Sequence, residues 1–189
     1  MNVYDFDKTI YAGDATLDFW GFCLKRYPEV WLCLPGQLFA AAKYAFGLQG
    51  KTCFKEDFYR FLQFVPEVDG AVTAFWKKQE KKIYPWYLAQ RKSDDVVISA
   101  SPEFLLAPVC GALGTGTLVA SRVDKKTGKY TGENCYGEEK PRRFQERFSA
   151  KDVDGFYTDS LSDLPMLCMA RQGYLVKKGI LSPFEKTNA

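Results

Sequence analysis

Val3-Tyr4-Asp5-Phe6-Asp7-Lys8-Thr9 passes from an apolar start into two carboxylates and a hydroxyl at alternate positions. An apolar run this early predicts a first strand whose carboxyl end carries Asp5 and Asp7. In extended backbone, residues i and i+2 point to the same side, so the two acids converge. Like charges that close are unfavourable unless a cation lies between them or one acid holds a proton. The pair therefore predicts either a magnesium site or a nucleophile beside a proton donor.

Beyond this strand, residues 14–92 read as helical. Asp14 is an N-cap candidate, followed by apolar residues from Leu17 to Leu24, and Pro28 ends that helix. Helical stretches follow over Trp31 to Phe46, Phe54 to Val65 and Ala71 to about Tyr84, and Pro85 opens a short fifth. After Ser93-Asp94-Asp95 the character changes. Val96-Val97-Ile98 is a β-branched run that predicts a buried parallel strand. Ser101-Pro102-Glu103 then starts a helix. Thr117 to Val123 and Tyr130 to Glu133 flank Asp124-Lys125-Lys126-Thr127-Gly128, a hairpin signal. Lys140 to Phe148 and Ser162 to Arg171 read as helices, Phe156-Tyr157-Thr158 and Tyr174-Leu175-Val176 as strands. Strands alternating with helices predict an α/β fold: a Rossmann-like, parallel-sheet core formed by residues 1–13 and 93–189, with a helical cap, 14–92, inserted in it.

Composition narrows the chemistry. The 189 residues are 47% apolar and 16% aromatic, enough for a packed core. A formal net charge of +3 gives no push toward nucleic acid. The complete absence of histidine removes Ser-His-Asp triads, Cys-His dyads and histidine metal sites. Any general acid or base must be a carboxylate, Lys, Tyr or Cys. The six cysteines form no C-x-x-C pair and read as buried, reduced thiols of a cytoplasmic protein without a signal peptide. Val30 to Gly50 carries only Lys43 as a charge. Its length could span a bilayer, but Pro35-Gly36 interrupts it, so it reads as a buried or interfacial helical segment.

In open parallel sheets, ligands bind at the carboxyl ends of the strands. Asp5 and Asp7, Ser99, Lys140, and Asp159 with Asp163 all fall there. They suit phosphoryl transfer: a carboxylate can attack phosphorus, a magnesium ion offsets the repulsion, and Ser99 and Lys140 can hold phosphoryl oxygens. Lys151 competes with Lys140 for that place. Without histidine, Asp7 is the proton carrier. A calcium loop is the rival motif, but Ile10 replaces its turn glycine and Thr16 its bidentate glutamate. Lys77 to Lys82 reads as a solvated helix face.

The set D-x-D-x-T, a Ser ending an apolar strand, a later Lys, and D-x-x-x-D after a last apolar strand resembles the haloacid dehalogenase superfamily of aspartate-nucleophile phosphatases. The helical insertion resembles the cap of its phosphoserine-phosphatase-like branch. The resemblance implies Asp5 as nucleophile, Asp7 as general acid and later base, and Mg2+ held by Asp5, Asp159 and the backbone carbonyl of Asp7. Asp163 would support the metal or Lys140. Thr9 would orient the acid pair, and Thr9, Ser99, Ala100 and Lys140 would meet the substrate. Ser99-Ala100-Ser101 and Thr158-Asp159-Ser160 stand where phosphoserine phosphatases tend to carry Ser-Gly-Gly and Gly-Asp-Gly. The Ser-x-Ser-Pro version is similar to branch members acting on lipid phosphates, such as phosphatidylglycerophosphate phosphatases. The implied substrate is thus a small phosphorylated metabolite or a lipid phosphate, with peripheral membrane contact in the second case. A metal- and phosphate-binding module without catalysis is the remaining alternative, and no protein partner is inferred.

Overall fold

The structure is a computed structural model and describes residues 1–185. Its first strand, β1 (Asn2–Tyr4), is followed by helices α1 (Ala15–Arg26), α2 (Leu34–Ala45), α3 (Lys51–Tyr59), α4 (Val68–Gln79) and α5 (Pro85–Gln90). Then come β2 (Val96–Pro102), α6 (Glu103–Ala112), β3 (Thr117–Ser121), α7 (Glu139–Gln145), β4 (Gly155–Thr158), α8 (Leu164–Met169), β5 (Gln172–Lys177) and β6 (Ile180–Phe184). The strands form one sheet of order β3-β2-β1-β4-β5-β6. All neighbours are parallel except β5 and β6.

β1 is central, and its alternation divides the interior. Val3 packs on one face with Val96, Ile98, Phe144 and Phe156. Tyr4 points to the other face, where its ring stacks on Tyr157, and Tyr157 on Tyr174, at 4.7 Å between centroids in each pair. This second face continues into the helical insertion through Phe19, Phe61 and Phe75. Topology then places the site. The chain builds outward from β1 to β3, returns to β4 on the opposite flank of β1, and so leaves a crevice at the carboxyl ends of β1, β2 and β4.

Several elements differ from the sequence expectation. The helix expected over Trp31 to Phe46 is a 3-10 stretch, Pro28–Cys33, followed by α2, because Pro35 fits only a helix's first turn. α3 likewise passes into a 3-10 segment at Arg60–Phe64. The expected hairpin reduces to one bridge, Val123 to Tyr130; β3 ends at Ser121, and the Asp124 carboxylate organises the turn by accepting from Lys126 and Thr127. β6 is hidden in the sequence because Ser182 and Pro183 interrupt its apolar run, and Pro is allowed on an edge strand. Cys23, Cys110 and Cys135 are buried thiols, whereas Cys53 and Cys168 are exposed.

Candidate active site

Asp5 leaves β1 and Asp7 begins a tight turn. Lys8 takes a left-handed conformation at φ 58°, unusual for a residue with a side chain. The amides of Ile10 and Tyr11 both close on the Phe6 carbonyl at 3.0 Å. The turn brings Asp7 under the start of α1, where its Oδ1 accepts the Ala15 amide at 2.6 Å. Its Oδ2 accepts Ser101 Oγ at 2.5 Å.

Lys140, near the start of α7, reaches in from the other flank. Its Nζ donates to Asp5 Oδ1 at 2.7 Å and to Asp163 Oδ2 at 2.6 Å. All three residues are buried. Asp163 lies in a 3-10 turn just before α8, and its Oδ2 also accepts Thr158 Oγ1 at 2.8 Å. Its Oδ1 is buried without a hydrogen-bond partner. Lys151 is exposed in a turn between α7 and β4, away from this array. Ser99 sits within β2 rather than after it, just ahead of an irregularity in the β2–β3 register, and its Oγ accepts the Ser101 amide at 3.1 Å. Thr9, expected to touch substrate, is fully buried and makes only a long 3.5 Å contact to Asp5 Oδ2. Thr9 does not line the cavity that Asp5 and Ser99 line, and stands as support behind Asp5.

Asp5, Asp7, Ser99, Ala100, Lys140, Asp159 and Asp163 line one cavity of about 440 Å³. Burial pushes Asp5 up to about 6 against the opposing pull of Lys140. Burial, reinforced by the charges of Asp14 and Asp5, pushes Asp7 up to about 7, while the Ser101 and Ala15 hydrogen bonds hold it back. Burial also raises Asp159, with Lys8 and Lys177 opposing. Burial works against the charge of Lys140, but Asp5 and Asp163 outweigh it and keep the ammonium protonated.

Carboxylate oxygens for a hard cation are offered by Asp5 and Asp159, which line the cavity with Asp163. Among the described residues no three acids or thiols converge into a closed cage. Mg2+ does not need one: it keeps several waters and takes one or two protein carboxylates together with substrate phosphate. The donor set therefore fits that ion.

The sequence missed three contributors. Asp14 doubles as the α1 N-cap and as a charge acting on Asp7. Ser101 shares the side of Ser99 by i, i+2 spacing, a signal that could have found it. Lys55 of α3 donates to the Ala100 carbonyl at 3.1 Å. Burial and the Lys51 charge pull Lys55 down to about 8. Nothing in the sequence pairs a helix of the insertion with β2.

The chain matches the family profile described as haloacid dehalogenase-like hydrolase over residues 3–168. A Mycobacterium tuberculosis (strain ATCC 25618 / H37Rv) protein named "Probable phosphatase" is 40% identical over 84 residues, 39% of this chain and 28% of that protein. Protein CicA of Caulobacter vibrioides (strain NA1000 / CB15N) is 31% identical over 91 residues, 44% of this chain and 41% of that one. The matched region thus spans less than half of these curated relatives. Among solved structures, a protein of unknown function from Bordetella pertussis Tohama I has a TM-score of 0.72 at 18% identity, covering 92% of this chain and 87% of that one. A structure described as a probable phosphoserine phosphatase from Vibrio cholerae has a TM-score of 0.68 at 13% identity, covering 91% and 55%. At these identities the structural likeness concerns the fold.

Proposed function

The chain belongs to the haloacid dehalogenase-like hydrolase family, and on that premise we propose that it is a Mg2+-dependent phosphomonoesterase working through an aspartyl-phosphate. Residues 14–92 serve as its cap, and 1–13 with 93–185 as its core; residues 186–189 of the expected core lie outside the described residues. The supporting observation is the buried array in which one ammonium, Lys140 Nζ, bridges Asp5 and Asp163 at the floor of the cavity. Lys140 fixes Asp5 through Oδ1 and leaves Oδ2 with only the long Thr9 contact, so Oδ2 is the freer oxygen for attack.

Asp5 forms a bond to phosphorus as the bond from phosphorus to the leaving oxygen breaks, and Asp7 gives its proton to that oxygen. A water then attacks the same phosphorus, Asp7 takes the water's proton, and the Asp5 carboxylate returns with inorganic phosphate released. Ser101 and the Ala15 amide hold the Asp7 carboxyl in one orientation for both transfers. Ser99, Ala100 and Lys140 serve the phosphoryl oxygens. Asp5, Asp159 and the Asp7 carbonyl would hold Mg2+, with Asp163 behind them; the ion would supply charge neutralisation between nucleophile and phosphate. The substrate is a phosphomonoester, either a soluble metabolite or a lipid phosphate.

Hydrolysis of an aryl phosphate by the purified chain is expected with Mg2+, to be lost with EDTA and to return when Mg2+ is restored. No hydrolysis of any phosphomonoester in a broad panel with Mg2+ present would contradict the proposal and favour a non-catalytic binding module.

A further inference from the structure

Exposed apolar side chains on this molecule are concentrated rather than scattered. Seven of the thirteen large ones among the described residues fall within residues 31–48. Trp31, Leu32, Leu38, Phe39, Phe46 and Leu48 are each more than half exposed, Phe46 at 80%. The helix at the centre of this stretch, α2, is inverted relative to an ordinary surface helix. Its buried positions are Gln37 and Ala40. Gln37 Nε2 donates inward to the Phe58 carbonyl at 2.8 Å, and the Ala40 carbonyl accepts Gln49 Nε2 at 2.9 Å. Polar anchoring thus holds the helix from inside, and Leu38 and Phe39 face outward. Contiguous apolar surface of this kind marks an interaction site.

Charge indicates the occupant. Lys25, Arg26 and Lys43 lie in or beside the stretch, and no carboxylate occurs in the sequence between Glu29 and Glu56. Lys43 lies over the Phe39 ring at 5.4 Å, so the cation and the apolar face are parts of one surface. A second copy docked on the same face about a two-fold axis would offer these cations no carboxylate from within the stretch. An anionic lipid surface satisfies both features: its headgroups match the cations, and its acyl boundary takes the rings and leucines. Among the described residues no helix is long and apolar enough to cross a membrane, so contact of this kind is interfacial.

We propose that the 31–48 face docks the protein on anionic bilayer surfaces. Binding itself does not rest on the catalytic reading. A consequence for substrate choice does rest on it. Tyr44 stacks on Phe54 at 5.0 Å, and Phe54 lines the catalytic cavity beside Lys51 and Lys55. The helix that carries the docked face thus reaches the cavity wall through its inner side, and on the catalytic reading a lipid phosphate is the substrate that the docked enzyme would meet.

The test is co-sedimentation with vesicles of phosphatidylcholine alone and of phosphatidylcholine with phosphatidylglycerol, read without turnover. The natural chain should sediment with the mixed vesicles, and the doubly substituted Phe39→Ser/Phe46→Ser chain should bind them roughly tenfold or more weakly. Circular dichroism and thermal unfolding establish that the variant is folded. A second variant, Lys25→Glu/Lys43→Glu, should lose the preference for the anionic vesicles. A natural chain that stays in the supernatant with both vesicles overturns the docking proposal, as does a folded Phe39→Ser/Phe46→Ser chain that binds like the natural one. A concentration-dependent dimer that this variant abolishes, without vesicle binding, assigns the face to a second copy and also overturns it. Because no step is catalytic, failure here leaves the phosphatase proposal standing, and an inactive protein that still sediments leaves the docking proposal standing.

Discussion

The floor of the cavity and the outer helix α2 treat polarity in opposite ways. At the floor, the buried Lys140 is shared between the buried Asp5 and Asp163, and the half-buried Asp7 is held by hydrogen bonds from Ser101 and the Ala15 amide. On α2 the polar side chain is tucked inward and the apolar ones face out. Both arrangements run against the usual partition of polar and apolar groups. At the floor, each charge is tolerated because a partner of opposite sign or a hydrogen bond faces it. On α2, Leu38 and Phe39 stay more than half exposed to solvent. Departures from the partition therefore mark both surfaces expected to do work, and they differ in whether the compensating partner is inside the chain or outside it.

Breaking the floor should have the largest effect. Lys140→Met keeps most of the side chain's volume but leaves Asp5 and Asp163 facing each other without a cation. Removing one partner of a buried pair typically costs about 3–5 kcal/mol, which urea denaturation would register, and turnover should fall together with stability. Removing Asp163 as well should recover part of the stability but none of the activity. Undiminished stability in Lys140→Met would mean that the array does not carry the charge balance assigned to it. Asp7→Asn should be gentler on the fold and lower the rate by roughly 10²- to 10⁴-fold, the usual range for a general acid–base group. Its loss should be greater for alkyl than for nitrophenyl leaving groups; equal losses would remove Asp7 from the proton-transfer role. The smallest effect belongs to α2. Phe39→Ser, at a 67% exposed position, should change stability by no more than about 0.5 kcal/mol. Phe75→Ala, in the core, should cost about 3–5 kcal/mol. Comparable losses at the two sites, in thermal unfolding, would show that the α2 face is packed rather than exposed.

The two regions were also unequally legible. Asp5, Asp7 and Ser99 could be placed from sequence because strand alternation and the carboxyl-end rule act over a few residues. Asp163 and Lys140 followed from their position at helix starts. Their meeting at one ammonium depends on β4 lying beside β1, which no local pattern encodes. Lys55 was invisible because it reaches Ala100 from the helical insertion, a contact between elements far apart in the chain. Hydropathy found the apolar 30–50 stretch but could not tell outward from inward: Gln37, the one polar side chain of α2 besides Lys43, marks the buried face. Pro183 hides β6, and the 117–133 hairpin signal comes from a turn whose closure is local to Asp124.

The nucleophile assignment is tested most directly by trapping the covalent intermediate. The enzyme with Mg2+ is mixed with a phosphoryl-labelled aryl phosphate, quenched in acid within a turnover, and the label located by peptide mass spectrometry. One phosphoryl group on the peptide carrying Asp5, absent from Asp5→Asn under the same quench, is the expected result. An Asp5→Asn protein that hydrolyses the ester at the natural rate, or a label that persists on another residue, would contradict the account.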